Sequence, residues 1–390
     1  MIDYASSGSR SSSRDHIDVV GFVRRLDWFL LCAVAALVAY GLWAVAGITR
    51  YDVEGNESYY VVRQAIAAGL GFAGFLLALA IDPDRYRRAQ KGLYGVTLLL
   101  MLLVFPLANT TRGSKRWIEL GPFQFQPSEF GKLLLVLALA GFLADRARRL
   151  GDPRVVLQAI GLALLPILLV FKQPDLGTAL VYGMALTACL FVAGIRWTQL
   201  AALCAVAALV ISSAVWFLPA AGVEVLKPYQ VDRLTGFADR ERDLEGVNYN
   251  VNQSITAVGS GGLDGRGVDA ATQTRLDYLP EHATDFAFAS LAEQRGFLGA
   301  AVLLLLYLLV VWRGLKIVTI ARDAFSAIAA AGIVFALLFQ IFVNVGMTTG
   351  VAPVTGITLP FVSVGGSSLV ANLVAVGVLE AICIRGRRRP

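Results

Sequence analysis

The chain has 390 residues, of which 57% are hydrophobic and only 16% charged, with a mean hydropathy of +0.66. That balance excludes an ordinary soluble globular domain and defines a polytopic membrane protein. The net charge of +6 does not make it a nucleic-acid binder, because the basic residues fall between apolar runs rather than on one soluble face.

Residues 1–26, serine-rich from Ser6 to Ser13, read as a disordered cytoplasmic tail. Ten apolar runs follow, at about 27–48, 59–82, 92–108, 127–144, 155–171, 177–195, 198–218, 285–312, 324–349 and 353–384. They are close to the roughly 20 residues that cross a bilayer core. The first is too long, and lacks the flanks, for a cleaved signal segment. The expected fold is an all-α polytopic membrane protein with about ten transmembrane helices. One membrane domain covers 27–384, and a basic cytoplasmic tail, 385–390, closes the chain. Cys32, Cys189, Cys204 and Cys383 sit in or beside apolar runs with no CxxC spacing, so they read as core residues rather than disulfides or metal ligands.

Sidedness follows from charge, since cytoplasmic flanks are enriched in Lys and Arg. The N-terminal tail, the 83–91 and 145–154 loops, Arg196, the 313–322 loop and the 385–390 tail hold 20 of the 34 basic residues. Both termini are therefore expected in the cytoplasm of a cell-membrane protein. A large extracytoplasmic loop, 220–283, then joins helices seven and eight. Its length marks a functional segment, and its mixture of aromatics, Asn, Gln and glycine argues against disorder. The glycines of GSGGLDGRG permit close approach of backbone to a ligand, but no strand precedes them as a nucleotide-binding loop would require.

Polar residues near the outer ends of the spans carry the functional signal. Arg112, Lys115 and Arg116 are cations placed against the general bias. They fit a pyrophosphate, for which Arg offers a planar fork and Lys a compact charge; anchoring of the loop to lipid headgroups is the alternative. Glu129 and Lys132 stand three apart on one helical face, either as a structural ion pair or facing a polar pathway. Asp175 opens helix six, as an N-cap or a functional acid, with Lys172 as its natural neighbour. Glu293 and Arg295 add a further charged pair. Pro353, Pro360 and several glycines break the helix before the last span, and such backbone is tolerated at depth only in protein or beside a wet cavity. Asn344 and Ser367 there read as satisfying freed backbone groups.

The stretch 280–286, PEHATDF, holds Asp285. Counting back about 20 residues from Trp312 and Arg313 reaches only Glu293. Eight more helical residues lift Asp285 about 12 Å above that edge, to the lipid–water boundary. There a carboxylate can meet the polar head of a lipid-borne substrate. Thr284 or Asp285 could equally cap the helix.

WIELGPFQFQPSEFGKL, KQPDLGTA, LKPYQVDRL, NQSITAVGSGGLDGRG, LPEHATDF and TGITLPFVSVGGSS together resemble the SEDS family (shape, elongation, division and sporulation), in family order and across nearly all ten helices. GSGGLDGRG followed by TQT, and GMTTG followed by PVTG, look more like the RodA members, of cell elongation, than the FtsW members, of division. The resemblance implies an inverting peptidoglycan glycosyltransferase. It would polymerise lipid II with release of undecaprenyl pyrophosphate, alongside a class B penicillin-binding protein (a transpeptidase) and the elongation machinery. It places the catalytic acid on Asp285, with Glu281 and Thr284 beside it, Glu129 and Asp175 at acidic family positions, and Lys132 next to Glu129. The family often has His directly before Thr, whereas here the order is Glu-His-Ala-Thr-Asp-Phe, so His282 falls out of register. Arg112, Lys115 and Arg116, with a divalent cation such as Mg or Mn, would stabilise the leaving pyrophosphate; the ligands of any metal are unknown. A lipid II flippase, an ion-coupled transporter and a recruiting scaffold are the rival readings.

Overall fold

The computed structural model describes residues 19–108, 116–121, 123–217, 219 and 247–387. Arg112, Lys115 and residues 220–246 of the long connecting segment, LKPYQVDRL included, lie outside them. The described chain runs α1 (Val19–Arg25), α2 (Trp28–Ile48), α3 (Tyr59–Ala80), α4 (Pro83–Arg88), α5 (Gln90–Leu107), a hairpin of β1 (Ile118–Leu120) and β2 (Phe123–Phe125), α6 (Pro127–Ala144), α7 (Pro153–Lys172), α8 (Leu176–Ala193) and α9 (Trp197–Ser212). It continues with α10 (Val247–Ser260), α11 (Thr272–Arg275), α12 (Ala287–Ile320), α13 (Ala324–Thr348) and α14 (Gly366–Gly386). Among the described residues nine helices are long and apolar enough to cross a bilayer, and α9 is a shorter tenth that runs into a wider turn, Ser213–Phe217. The expected all-α membrane architecture is the observed one. The expected tail is shorter than 1–26, because Val19–Arg25 is helical.

Lipid removes any hydrophobic drive between helices, so close packing through small residues holds them together. Gly71 of α3 faces Val370 and Leu373, and Gly377 of α14 faces the Phe75 carbonyl; a Cβ at either position would overlap them. α6, α13 and α14 are the most enclosed spans, whereas α9 buries no residue at all. Of the cysteines, Cys189 and Cys383 are buried, but Cys32 and Cys204 are exposed on the bundle surface, which corrects their reading as core. They lie on the outward stripes of α2 and α9, where an apolar solvent makes no distinction that composition can reveal.

Ion pairs tie one end of the bundle. Arg313 and Asp27 are buried partners, Arg387 reaches Asp27 at 3.2 Å, and the Asp27 N–H donates to Glu380 at 3.0 Å. Arg385 pairs with Asp82 at 2.5 Å, and Arg87 with Asp145 at 2.8 Å. The N-terminal segment, the 83–91 and 145–154 loops, the end of α12 and the C-terminal segment thus share an end, as the charge bias required.

α12 is broken at Gly296, whose φ of 65° no helix accommodates. The groups freed by the break are taken up by GSGGLDGRG: Phe297 N donates to Gly262 O at 2.8 Å, Leu298 N to Leu263 O at 3.1 Å, Arg266 N to Glu293 O at 2.9 Å and Gly267 N to Gln294 O at 3.0 Å. Backbone therefore crosses backbone, and a Cβ at Gly261 or Gly265 would overlap residues 292–295. The close approach these glycines permit is to α12 rather than to a ligand.

Candidate active site

Asp285 sits in a turn just before α12, and every peptide carbonyl from 281 to 285 is held. Glu281 O accepts from Thr284 N and Phe286 N, both at 3.1 Å, and Ala283 O from Val364 N at 2.9 Å. His282 O accepts from Ser290 Oγ at 3.0 Å, Thr284 O from Ser363 Oγ at 2.5 Å, and Asp285 O from Asn344 Nδ2 at 2.9 Å. The non-helical 349–365 segment supplies two of these bonds, through Ser363 Oγ and Val364 N. Ser363 also accepts from Leu359 N at 2.8 Å, and its carbonyl takes Gln64 Nε2 at 3.0 Å. Asn344 additionally binds Ile357 O at 2.7 Å. Glu281 adopts φ 55°, a conformation costly for a non-glycine residue and kept only where its surroundings over-determine it.

The geometry changes two expectations about Asp285. The N-cap of α12 is Phe286, which makes no side-chain capping bond, so neither Thr284 nor Asp285 occupies the cap position. Thr284 Oγ1 instead donates to Glu281 Oε2 at 2.8 Å. Nor does a continuous helix lift Asp285 by a fixed height: α12 begins at Ala287 and breaks at Gly296, and its far end passes Arg313 to reach Ile320 because Asp27 neutralises that guanidinium. Asp285 is partly exposed, so a substrate can reach it.

The other acidic positions are each held by partners of their own. Lys132 Nζ donates to Glu129 Oε2 and to Gln340 Oε1, each at 3.0 Å, with Glu129 and Lys132 only 4% and 7% exposed. Gln340 and Asn344 lie one turn apart on α13, so one helical face holds both the ion pair and the Asp285 turn. A cavity of about 30 Å³, room for water, is lined by Glu129, Lys132, Gln340 and Asn372 among apolar neighbours. Asp175 caps α8 through Thr178 N at 3.1 Å, accepts from Gln126 Nε2 at 3.3 Å and pairs with Arg116 at 3.8 Å. Its cation is thus Arg116 rather than Lys172, which is exposed. Arg116 also donates to Pro174 O, while its buried Nε has no partner among the described residues. Ser367 Oγ accepts from Gln126 N at 3.0 Å and donates to Gln124 O at 2.8 Å, tying the hairpin to the start of α14.

Glu293 and Arg295 do not pair. Glu293, fully buried, accepts from Gln273 N, Thr274 N and Thr274 Oγ1 at 2.9, 3.0 and 2.7 Å, and Arg295 stacks on Trp43 at 3.9 Å. Asp52, Gln126 and Gln340 carry geometry that no local pattern assigned to them, whereas Asn344 satisfies the backbone carbonyls of residues 285 and 357 as expected of it. His282 is buried with Nε2 3.1 Å from Asp52 Oδ1 and Nδ1 3.4 Å from Asp277 Oδ1. Among the described residues, no three His, Cys, Asp or Glu side chains come together as metal ligands.

The Asp285 carboxylate thus stands on a clamped turn at one end of an apolar helix bundle. The chain belongs to the FtsW, RodA and SpoVE family: the family model described as cell cycle protein matches residues 24–387. It is 35% identical over 353 residues to stage V sporulation protein E of Bacillus subtilis, covering 90% of this chain and 93% of that one. To the peptidoglycan glycosyltransferase MrdB of Escherichia coli K12 it is 34% identical over 359 residues, covering 92% and 93%. A solved structure described as structural coordination of polymerization and crosslinking by a peptidoglycan synthase complex matches with a TM-score of 0.78 at 33% identity, over 93% of this chain and 99% of that one.

Proposed function

We propose that this chain is a peptidoglycan glycosyltransferase that polymerises lipid II. The supporting observation is the clamped turn: the carbonyls from 281 to 285 are fixed by α12, α13 and the 349–365 segment, so the Asp285 carboxylate is pre-positioned rather than mobile. The glycan chain passes from its undecaprenyl pyrophosphate carrier to the 4-hydroxyl of the GlcNAc of an incoming lipid II. Asp285 takes the acceptor proton as the hydroxyl attacks in line. One carboxylate suffices, because a pyrophosphate leaves without being protonated, in contrast to the paired acids of glycoside hydrolysis. Arg112, Lys115 and Arg116 would receive the leaving group's charge. Glu281, Thr284, Glu129, Lys132 and Asp175 would bind the polar groups of the substrate. No step is assigned to a divalent cation.

The glycosyltransferase role draws support from the relative named MrdB, and the partner, a class B penicillin-binding protein, from the synthase complex whose title joins polymerization to crosslinking. A role in elongation rests on the RodA-like motifs, because sporulation and MrdB relatives stand at nearly equal identity. The flippase reading is separated by one assay: lipid II placed on one face of vesicles holding the protein and its transpeptidase should yield glycan on that face. Movement of labelled lipid across the bilayer without glycan would replace the enzyme with a transporter.

Both termini are placed in the cytoplasm and the Asp285 end outside, from the distribution of Lys and Arg. A cysteine at Asp264 should then react with a membrane-impermeant reagent in cells whose outer barrier is permeabilised. Protection there, with labelling near Arg148, would invert the topology.

A further inference from the structure

The turn that carries Asp285 is clamped by its backbone on the side of α13 and the 349–365 segment, but one side chain anchors it in another direction. His282 reaches the connection between α2 and α3, where Asp52 Oδ1 and Oδ2 lie 3.1 and 3.3 Å from Nε2. That connection is itself held, by Tyr51 OH donating to Asp269 Oδ1 at 2.5 Å and by Arg50 pairing with Glu57 at 3.2 Å. Asp277 Oδ1 lies 3.4 Å from Nδ1 on the other edge of the ring. Each ring nitrogen faces a carboxylate, and only the imidazolium has an N–H for both; a neutral ring would turn a lone pair toward one of the two anions. His282 is 8% exposed and the Asp52 side chain 19%, so water does not readily substitute for Asp52, whereas Asp277 stands largely in solvent.

We propose that His282 is a positioning residue for glycan polymerisation, holding the turn that carries Asp285 against the α2–α3 connection through Asp52. The inference rests on the base role of Asp285. His282 touches no reacting atom in this scheme; it acts by fixing where the carboxylate three residues on can stand.

A pH dependence follows. Burial by itself disfavours the charged ring, but the hydrogen bond and charge of Asp52, the charge of Asp277 and the Leu279 backbone outweigh it and hold the imidazole above its ordinary 6.5. Of the other charges about the turn, Glu281 bonds Thr284, Glu293 takes residues 273 and 274, Arg50 pairs with Glu57 and Asp269, Arg275 lies over Tyr51, Arg295 stacks on Trp43, and Asp285 stands three residues on. Because the folded pKa is raised, the anchor is complete below the ordinary imidazole value and is lost as the pH climbs through the folded one. The wild-type rate should therefore fall on the alkaline side.

The test uses the purified full-length chain with its transpeptidase, measuring initial rates of glycan formation from lipid II between about pH 6 and 9. Asp52→Asn, nearly isosteric, should move the alkaline fall to lower pH by removing the strongest partner of the cation. His282→Gln should lower kcat by up to about 10²-fold with KM little changed, as expected when a base is misplaced by about an ångström. His282→Arg keeps a charge that does not titrate in this range and should restore rate while removing the alkaline fall. Wild-type profiles in both Asp52→Asn and His282→Gln, in an enzyme that Asp285→Asn inactivates, would overturn this proposal alone. A near wild-type rate for Asp285→Asn would overturn the base role and this proposal with it. Rates that merely track melting temperature, with an unmoved pH profile, would reduce the pair to a structural tie and also overturn it.

Discussion

Purified Asp285→Asn protein, with its partner transpeptidase present, is expected to make no detectable glycan from lipid II while keeping a near wild-type melting temperature and its partner. The amide is the size of the carboxylate, and the turn's conformation is set by bonds to peptide carbonyls from Ala283 to Asp285 that the substitution leaves in place. The first turn of α12 should also be insensitive, since its cap position is Phe286. An amide, however, cannot take a proton at neutral pH. Loss of a general base costs about 10²–10⁴-fold, enough to bring a slow polymerase below detection. Polymerisation at near wild-type rate would move the base elsewhere. Glu129 is paired with Lys132 and Asp175 caps α8, so Glu281, on the same turn, would become the first candidate.

The spans were legible because a bilayer imposes length and hydropathy together: a run of apolar residues must become a helix that satisfies its own backbone. The shared end of the basic loops was legible for a similar reason, since Arg and Lys cluster where helices leave the lipid. Other features are set by contacts that composition does not encode. Three-residue strands, Ile118–Leu120 and Phe123–Phe125, are too short to show an alternating pattern inside a polar connection. The break at Gly296 hides inside an apolar run because the partners that satisfy it, Gly262 to Gly267, arrive from another segment. PEHATDF declared its carboxylate, but not that His282 pairs with Asp52 across 230 residues of chain. Asn344 is legible as a residue that satisfies freed backbone groups; that Gln340, one turn away on the same helical face, takes Lys132 is not.

Lys132→Met should destabilise the protein by about 3–5 kcal/mol in denaturation of the detergent-solubilised chain, because it leaves Glu129 charged, enclosed and without its cation. Gln340 loses its donor in the same step. The double variant Glu129→Gln with Lys132→Met removes both charges, and replacing a buried pair by neutral groups of similar volume is often neutral or stabilising. Its stability should therefore return close to wild type. Activity separates the two readings of the pair that stability cannot. If Glu129 and Lys132 line the path of the substrate's polar head, the stable double variant should still polymerise poorly, with the loss carried mainly in KM where the contact binds substrate and transition state alike. Full activity in that variant would make the pair a strut between α6 and α13 and remove both residues from substrate binding.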